Sequence, residues 1–489
     1  MKPISRRQAL LLGGLGLAGT VAGGAGLVWT LTSREEEPVT GSDLAQPSEE
    51  RSTNGHLQVR LEAAPGQMLL AGRQAAALGY NGGIPGPTLR VRAGDVLKIG
   101  LVNKLTQATN LHVHGLHVSP VGNGDNIFVS VDPGSTFDYE YNLPEDHPPG
   151  VYWYHPHYHG IVADQIFAGL FGAIIVEDLE PIESSAERVL VISDTTLDGL
   201  GNILEVPVME RVMGREGELI LVNGQSNPQF SARPGQRERW RIINTCVSRY
   251  LRLRLDGQQL QLLGMDSGRF PIPETVDELL LIPGNRADLL VTTTAGDSVL
   301  RALYQNRGGM PGMMGPGSGA SAPAGQPDGA ALATLRVAGD PVAAPAAVPA
   351  QLGLGDLRSG AVAARRQIVL AAGMGMGMVG GMMSFTIDGR EFNKARTDTT
   401  VAAGNVEEWT LTNTSPMDHP FHLHVWPMQI VEENGQGTNT VRWQDVVNVP
   451  AFGFVKVRVA FRDFRGRSVY HCHILDHEDL GMMGAIEVR

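Results

Sequence analysis

Pro87-Thr-Leu-Arg-Val-Arg-Ala-Gly94-Asp-Val-Leu-Lys-Ile-Gly-Leu-Val-Asn103 alternates apolar and polar residues up to a glycine, then alternates again up to an asparagine. A period of two is the signature of a strand with one buried face, and the glycine marks a turn between two such strands. The pattern returns from Pro228 through Gly235 to Asn244 and from Asp398 through Gly404 to Asn413, with the asparagine nine residues after the glycine each time. This register puts Ile99, Trp240 and Trp409 at one equivalent inward position. A strand pair repeated three times predicts an all-β chain of three related β-sandwich domains, spanning 52–178, 179–340 and 362–489. Residues 34–51 are acidic, aperiodic and contain proline and serine, so they read as a linker, as does 341–361. Arg307 to Ala331 is built mainly of Gly, Ala, Pro, Ser and Met and reads as a mobile loop (307–331) in a hairpin of the middle domain.

Composition agrees with this architecture. Of 489 residues, 42% are hydrophobic and 18% charged, which excludes both a polytopic membrane protein and a disordered chain. The 61 glycines and 30 prolines favour a turn-rich β protein. With 39 Lys plus Arg against 51 Asp plus Glu, the net charge of −12 argues against a nucleic-acid-binding surface. The only two cysteines, Cys246 and Cys472, lie in unrelated contexts, so no disulfide framework is expected and Cys246 reads as a core residue.

The chain begins Ser5-Arg6-Arg7-Gln8-Ala9-Leu10-Leu11 and carries no charge from Ala9 to Ser33. Residues 1–33 resemble a twin-arginine signal recognised by the Tat translocon, which predicts a periplasmic, cell-envelope or extracellular protein. The same run is long enough to span a bilayer, so a cleaved signal and a retained membrane anchor both stay open.

Nine residues beyond each repeated asparagine, the first copy reaches His112 in Leu111-His112-Val113-His114-Gly115 and the third reaches His422 in Phe421-His422-Leu423-His424. The middle copy reaches Leu253 in Leu251-Arg252-Leu253-Arg254-Leu255. The outer domains also end alike, with Tyr154-His155-Pro156-His157 in one and Tyr470-His471-Cys472-His473 in the other. Ten of the 14 histidines fall in these four clusters, counting His419, His424 and His477, while His56, His117, His147 and His159 stand apart. Residues i and i+2 of a strand share a face, so four His-x-His pairs converging from two domains would supply eight nitrogen ligands to a polynuclear metal site. Imidazole suits copper, zinc, iron or nickel. Cys472 narrows the choice, because its side chain points to the face opposite His471 and His473. With His419, with His477 five residues on and with Met482 five further, it forms the two-His, one-Cys, one-Met donor set of an electron-transfer copper site. Met483 is the alternative axial donor. Pro156 stands where the third domain has Cys472, so the first domain cannot build a thiolate site.

These motifs resemble the multicopper oxidase family, in its three-domain form that includes laccases, bilirubin oxidases and bacterial cuprous oxidases. The resemblance runs from about Gly55 to Arg489 and implies cupredoxin-like Greek-key β-sandwich domains and four copper ions. It assigns His419, Cys472, His477 and Met482 to a type 1 copper, and His112 with His422 to a type 2 copper. His114, His155 and His473 would hold one type 3 copper and His157, His424 and His471 the other. The implied reaction oxidises a small reducing substrate, Cu(I) or a phenol, one electron at a time and reduces dioxygen to water. Glu478 matches the family's proton-channel acid, and Asp125 is the candidate for the second carboxylate, with a loop-capping role as its alternative. Met374, Met376, Met378, Met382 and Met383, together with Met417 just before His419, are soft donors that would select Cu(I) at a substrate site. A flexible apolar cover over the type 1 site is the other reading of the methionine-rich run. A non-enzymatic exported cupredoxin scaffold or copper-binding protein is the alternative to an oxidase.

Overall fold

The computed structural model describes residues 40–309, 328–374 and 383–489, apart from 344 and 352. The export-signal reading, most of the expected mobile loop, Met376, Met378, Met382 and the side chain of Met374 lie outside the described residues.

The chain is all-β, and each of its three sandwiches repeats one wiring. In one layer a long strand runs parallel to the strand that ends at the repeated asparagine. His56 to Ala63 pairs in this way with Val96 to Asn103, Ala186 to Ile192 with Glu238 to Asn244, and Ala364 to Leu370 with Glu407 to Asn413. In the other layer the strand before the repeated glycine runs parallel to the last strand of its domain, as Thr399 to Val401 does with Ile486 to Val488. Between the layers, alternate side chains form three separate cores around Ile99, Trp240 and Trp409, all fully buried. The alternation read from sequence is therefore the burial alternation of the sheets, and area removed from water is what selects the register.

The repeated asparagine does the same work in each copy. Its Nδ2 donates to a carbonyl of the facing segment, Val131, Leu281 or Val449, at 2.8–3.0 Å. Its Oδ1 accepts the N–H two residues on, from Leu105, Cys246 or Ser415. Each buried asparagine thus replaces backbone partners that the end of the strand would leave unmet.

Two expectations change. Residues 40–51, read as a linker, are tied to two domains: Glu49 to Arg51 pairs parallel with Thr88 to Arg90, and Leu44 N–H donates to Gln229 O at 2.8 Å. Such an edge segment is held by backbone hydrogen bonds and by ion pairs such as Arg90–Glu49 at 2.9 Å, so it has no apolar period to find. Leu253, counted as the counterpart of His112 and His422, faces its own domain's core instead. In the outer domains the asparagine's second Nδ2 bond goes four residues on, to Gln107 O or Met417 O, but in the middle domain it goes five residues on, to Arg249 O. One extra residue in that loop reverses the face, and Arg254, paired with Arg301, takes the position that His112 and His422 hold.

Candidate metal centres

The strand His112–His114 pairs with Gly150–His155 so that His112 faces His155. The strand His419–Leu423 pairs with Gly466–Cys472 so that His422 faces His471. The apolar residues between the histidines, Val113, Phe421 and Leu423, point into the two cores, which leaves the imidazoles on the outer faces where the first and third sandwiches meet. All eight rings are buried there. His422 Nε2 lies 3.4 Å from His112 Nε2, and His157 Nε2 and His424 Nε2 each lie 3.1 Å from His471 Nε2. Ligand atoms of His112, His114 and His422, of His114, His155 and His473, and of His157, His424 and His471 fall within 4.8 Å of one another in each group.

For four of the rings a neighbouring acceptor fixes which nitrogen is free. His422 Nδ1–H donates to Asp445 O at 2.7 Å, His155 Nδ1–H to Pro156 O at 2.8 Å and His471 Nδ1–H to Cys472 O at 3.0 Å. His114 is tied the other way round, through Nε2–H to the Asp445 carboxylate at 3.1 Å. In each case the remaining nitrogen carries its lone pair toward the common centre, which is how outer partners orient a metal-binding imidazole. Burial and the charge of neighbouring imidazoles hold these histidines below their ordinary pKa, with His155 down to about 3 and His471 to about 4. They are neutral and competent as ligands. His473 has neither ring nitrogen paired among the described residues, and His157 and His424 each leave Nδ1 unpaired. Converging lone pairs and an unpartnered buried ring are what a bound soft or borderline metal would satisfy, so the donor set fits copper.

Cys472 faces the opposite way, into the third core, with Sγ 3.4 Å from His419 Nδ1 and 3.8 Å from His477 Nδ1. His477 Nε2–H donates to Val212 O at 3.1 Å, and His419 Nε2 is bound to Ser415 Oγ at 2.7 Å, so both Nδ1 atoms are turned to the sulfur. Burial pushes the thiol up, and a metal is needed to displace its proton. Met482 shares the core cluster of Cys472, whereas Met483 sits in a separate cluster with Ile127 and Val469. Cys246 is buried with its Sγ 3.8 Å from Ile192 O and belongs to none of the candidate ligand groups given above.

The two candidate carboxylates flank the histidine cluster. Asp125 lies 2.9 Å from His112 Nδ1 and accepts the Val113 N–H at 3.1 Å, and burial pushes its carboxyl up to about 8. Glu478, on the short helix Leu475–Asp479, is fully buried with neither oxygen hydrogen-bonded, 3.6 Å from His159 Nδ1 and 3.9 Å from His157 Nδ1. Desolvation pushes its carboxyl well above the ordinary carboxylate range, which favours the protonated form. Met417 is buried two residues before His419, and Met383 is half-buried near Phe385, whose ring stacks on His477 at 4.2 Å.

Sequence reading missed a third-party brace. Asp445 receives the His114 bond through its side chain and the His422 bond through its carbonyl, and Arg286 of the middle domain grips its carboxylate at 2.6 Å through both terminal nitrogens. Arg286 also donates to Val151 O at 3.0 Å, so one guanidinium joins all three domains behind the cluster. A Cβ at Gly115 would collide with that guanidinium, which is why glycine follows the first His-x-His pair. The local signal was thin: a lone Asp at the head of an apolar strand and a lone Arg following Gly284-Asn285.

Three segments match the multicopper oxidase family, residues 62–181, 187–309 and 371–489, one in each sandwich. The chain is 26% identical over 451 residues to the multicopper oxidase mco of Staphylococcus haemolyticus, covering 90% of both. It is 27% identical to the multicopper oxidase MmcO of Mycobacterium tuberculosis, covering 95% of this chain and 91% of that one. The solved structure of a Campylobacter jejuni multicopper oxidase, described as a metallo-oxidase, superposes with a TM-score of 0.79 at 30% identity over 92% of this chain and 95% of that one. The repeated sandwich, the imidazole cluster and these matches together place the chain in the multicopper oxidase family, as a copper-dependent oxidoreductase that uses dioxygen as acceptor.

Proposed function

We propose that the chain holds four copper ions: a type 1 ion on His419, Cys472, His477 and Met482, a type 2 ion on His112 and His422, and two type 3 ions on His114, His155, His473 and on His157, His424, His471. Bound copper supplies one-electron transfer at the first site and four-electron reduction of dioxygen to water at the other three. The carrying observation is that Cys472 and the two histidines beside it belong to opposite faces of one segment, so a single covalent path joins the sites. The sandwich interface keeps substrate outside while the imidazoles enclose the oxygen site. Glu478, whose carboxyl burial raises, is the proton donor on the side of His157 and His159, and Asp125, whose raised carboxyl lies 2.9 Å from His112 Nδ1, is the second acid. The test is copper content together with the visible spectrum: about four ions per chain and an intense thiolate band are expected. A copper-loaded protein without that band would reject the assignment and revive the scaffold reading.

For the electron donor we favour Cu(I). Met417 and Met383 bring thioethers to the type 1 segments, and the likeness to the Campylobacter jejuni multicopper oxidase described as a metallo-oxidase supports a metal substrate. Replacing Met374, Met376, Met378, Met382 and Met383 by serine is then expected to remove Cu(I) oxidation and spare phenol oxidation at matched oxygen. The reverse pattern would favour the phenolic reading, which the laccase of Bacillus subtilis, 24% identical, keeps alive. Export by the Tat translocon is part of the same proposal; changing Arg6 and Arg7 to lysine should hold the protein in the cytoplasm.

A further inference from the structure

We infer that Arg307 is a positioning residue for the Cys472 site: a buried cation that braces both histidine-bearing segments and favours the reduced state of the metal they hold. The inference rests on the type 1 reading above. Arg307 reaches the site from the middle domain. Its carbonyl accepts the N–H of Asp418, adjacent to His419, at 2.8 Å, and the following Gly308 bridges to Met417. Its guanidinium donates through a terminal nitrogen to Gly214 O at 2.9 Å. Gly214 directly follows the helix Val208–Met213, whose Val212 carbonyl receives the proton of His477. One residue therefore spans the supports of both histidines, its main-chain carbonyl on the His419 side and its guanidinium on the His477 side.

The cation is buried with an incomplete set of hydrogen bonds. Arg307 is 6% exposed, and its other terminal nitrogen has no hydrogen-bond partner among the described residues. A Cβ built on Gly214 would sit 2.9 Å from that nitrogen, from Ile474 Cγ2 and from Ser248 Oγ, so the bare N–H group lies against the loop between Cys472 and His477. Among the described residues Glu216 pairs with Arg307 at 3.3 Å and is shared at 3.0 Å with Arg249, which also pairs with Asp194 at 2.8 Å. A fixed cation in a low-dielectric surround favours the less positive of two metal charge states. When the donor gives up one electron and the site gains it, Arg307 therefore shifts the equilibrium toward the reduced site.

The test uses the copper-loaded full chain with Arg307→Gln, Arg307→Lys and Glu216→Gln, equilibrated without oxygen against a one-electron mediator and read by the thiolate band. Arg307→Gln is expected to lower the electron-exchange equilibrium constant about tenfold. Arg307→Lys should stay within about threefold of the parent, and Glu216→Gln should move the constant the opposite way from Arg307→Gln. The opposed signs separate an electrostatic role from loosened packing. An unchanged constant in Arg307→Gln, or shifts of one sign in both neutral variants, overturns the inference while leaving the copper assignment standing. If Arg307→Gln does not load copper, Glu216→Gln decides alone: a raised constant supports the inference, and an unchanged or lowered one overturns it. A parent protein with no thiolate band overturns the type 1 reading itself.

Discussion

The outer and middle domains carry the same strand pair, closed by the same asparagine, yet only the outer ones turn histidines toward a neighbour. The difference is one residue of loop. Asn103 and Asn413 bond to the carbonyl four residues on, and Asn244 to the carbonyl five residues on. The following strand is thereby shifted by one, which exchanges its two faces. In the outer domains the face turned out of the sandwich carries His112, His114, His422 and His424 at the domain contact. In the middle domain it carries Arg252 and Arg254, paired with Glu278 at 2.6 Å and Asp256 at 3.2 Å. A second difference separates the outer domains from each other: Pro156 and Cys472 occupy matching positions after the paired histidine, so only the third domain offers a sulfur to its own core. The fold supplies three equivalent platforms, and loop length and one side chain decide what each can bind.

The sharpest break of this comparison is Cys472→Ser. It should abolish the thiolate band, lower the copper content by one and cut turnover more than about a thousandfold, since electrons lose both their acceptor and their covalent path. Glu478→Gln should leave that band and anaerobic reduction intact while slowing oxygen turnover about a hundredfold, measured by oxygen uptake.

The metal-free protein should be acid-labile. Its buried histidines titrate well below the unfolded value of about 6.5, with His155 and His419 near 3 and His471 near 4. Below about pH 6.5 the unfolded chain binds more protons, so stability is lost as pH falls, by up to about 1.4 kcal/mol per pH unit for each such ring. Denaturant midpoints at pH 7.5 and 5 should show a drop of several kcal/mol for the metal-free chain. Copper should shrink that drop, because it occupies the nitrogens that protons would take.

Asn413→Ala removes four buried hydrogen bonds and Asn244→Ala three, and each should cost about 2–3 kcal/mol in thermal or chemical unfolding. Only the first should also reduce copper content, because only its loop leads into the His419–Leu423 strand. The smallest effect is expected from Arg254→His with Arg301→His. This places a histidine pair at the matching register of the middle domain, yet copper stoichiometry should not change, because no second domain brings further imidazoles to that face.

Much of the site was legible because strands encode it locally. His112-Val113-His114, His155-Pro156-His157, His422-Leu423-His424 and His471-Cys472-His473 fix by alternation which side chains share a face, and the 472, 477, 482 spacing fixes a mixed sulfur and nitrogen set within one loop. The three cores followed from the same period of two. Counting across a loop failed at Leu253, because periodicity does not survive an insertion whose conformation the count ignores. Composition also misread residues 40–51, which are held by backbone pairing and ion pairs rather than by an apolar face.

What sequence by itself determined is the chemistry on offer: three β-sandwiches, ten clustered imidazoles, one usable thiolate and the domains that carry them. Only tertiary structure decided that faces more than 300 residues apart in the chain meet, as His112 and His422 do, and that Arg286 and Asp445 brace the meeting point. The physical reason is range. Alternation and short spacing act through covalent geometry within a few residues, whereas an ion pair or a shared metal-binding pocket depends on distances that many distant contacts set together.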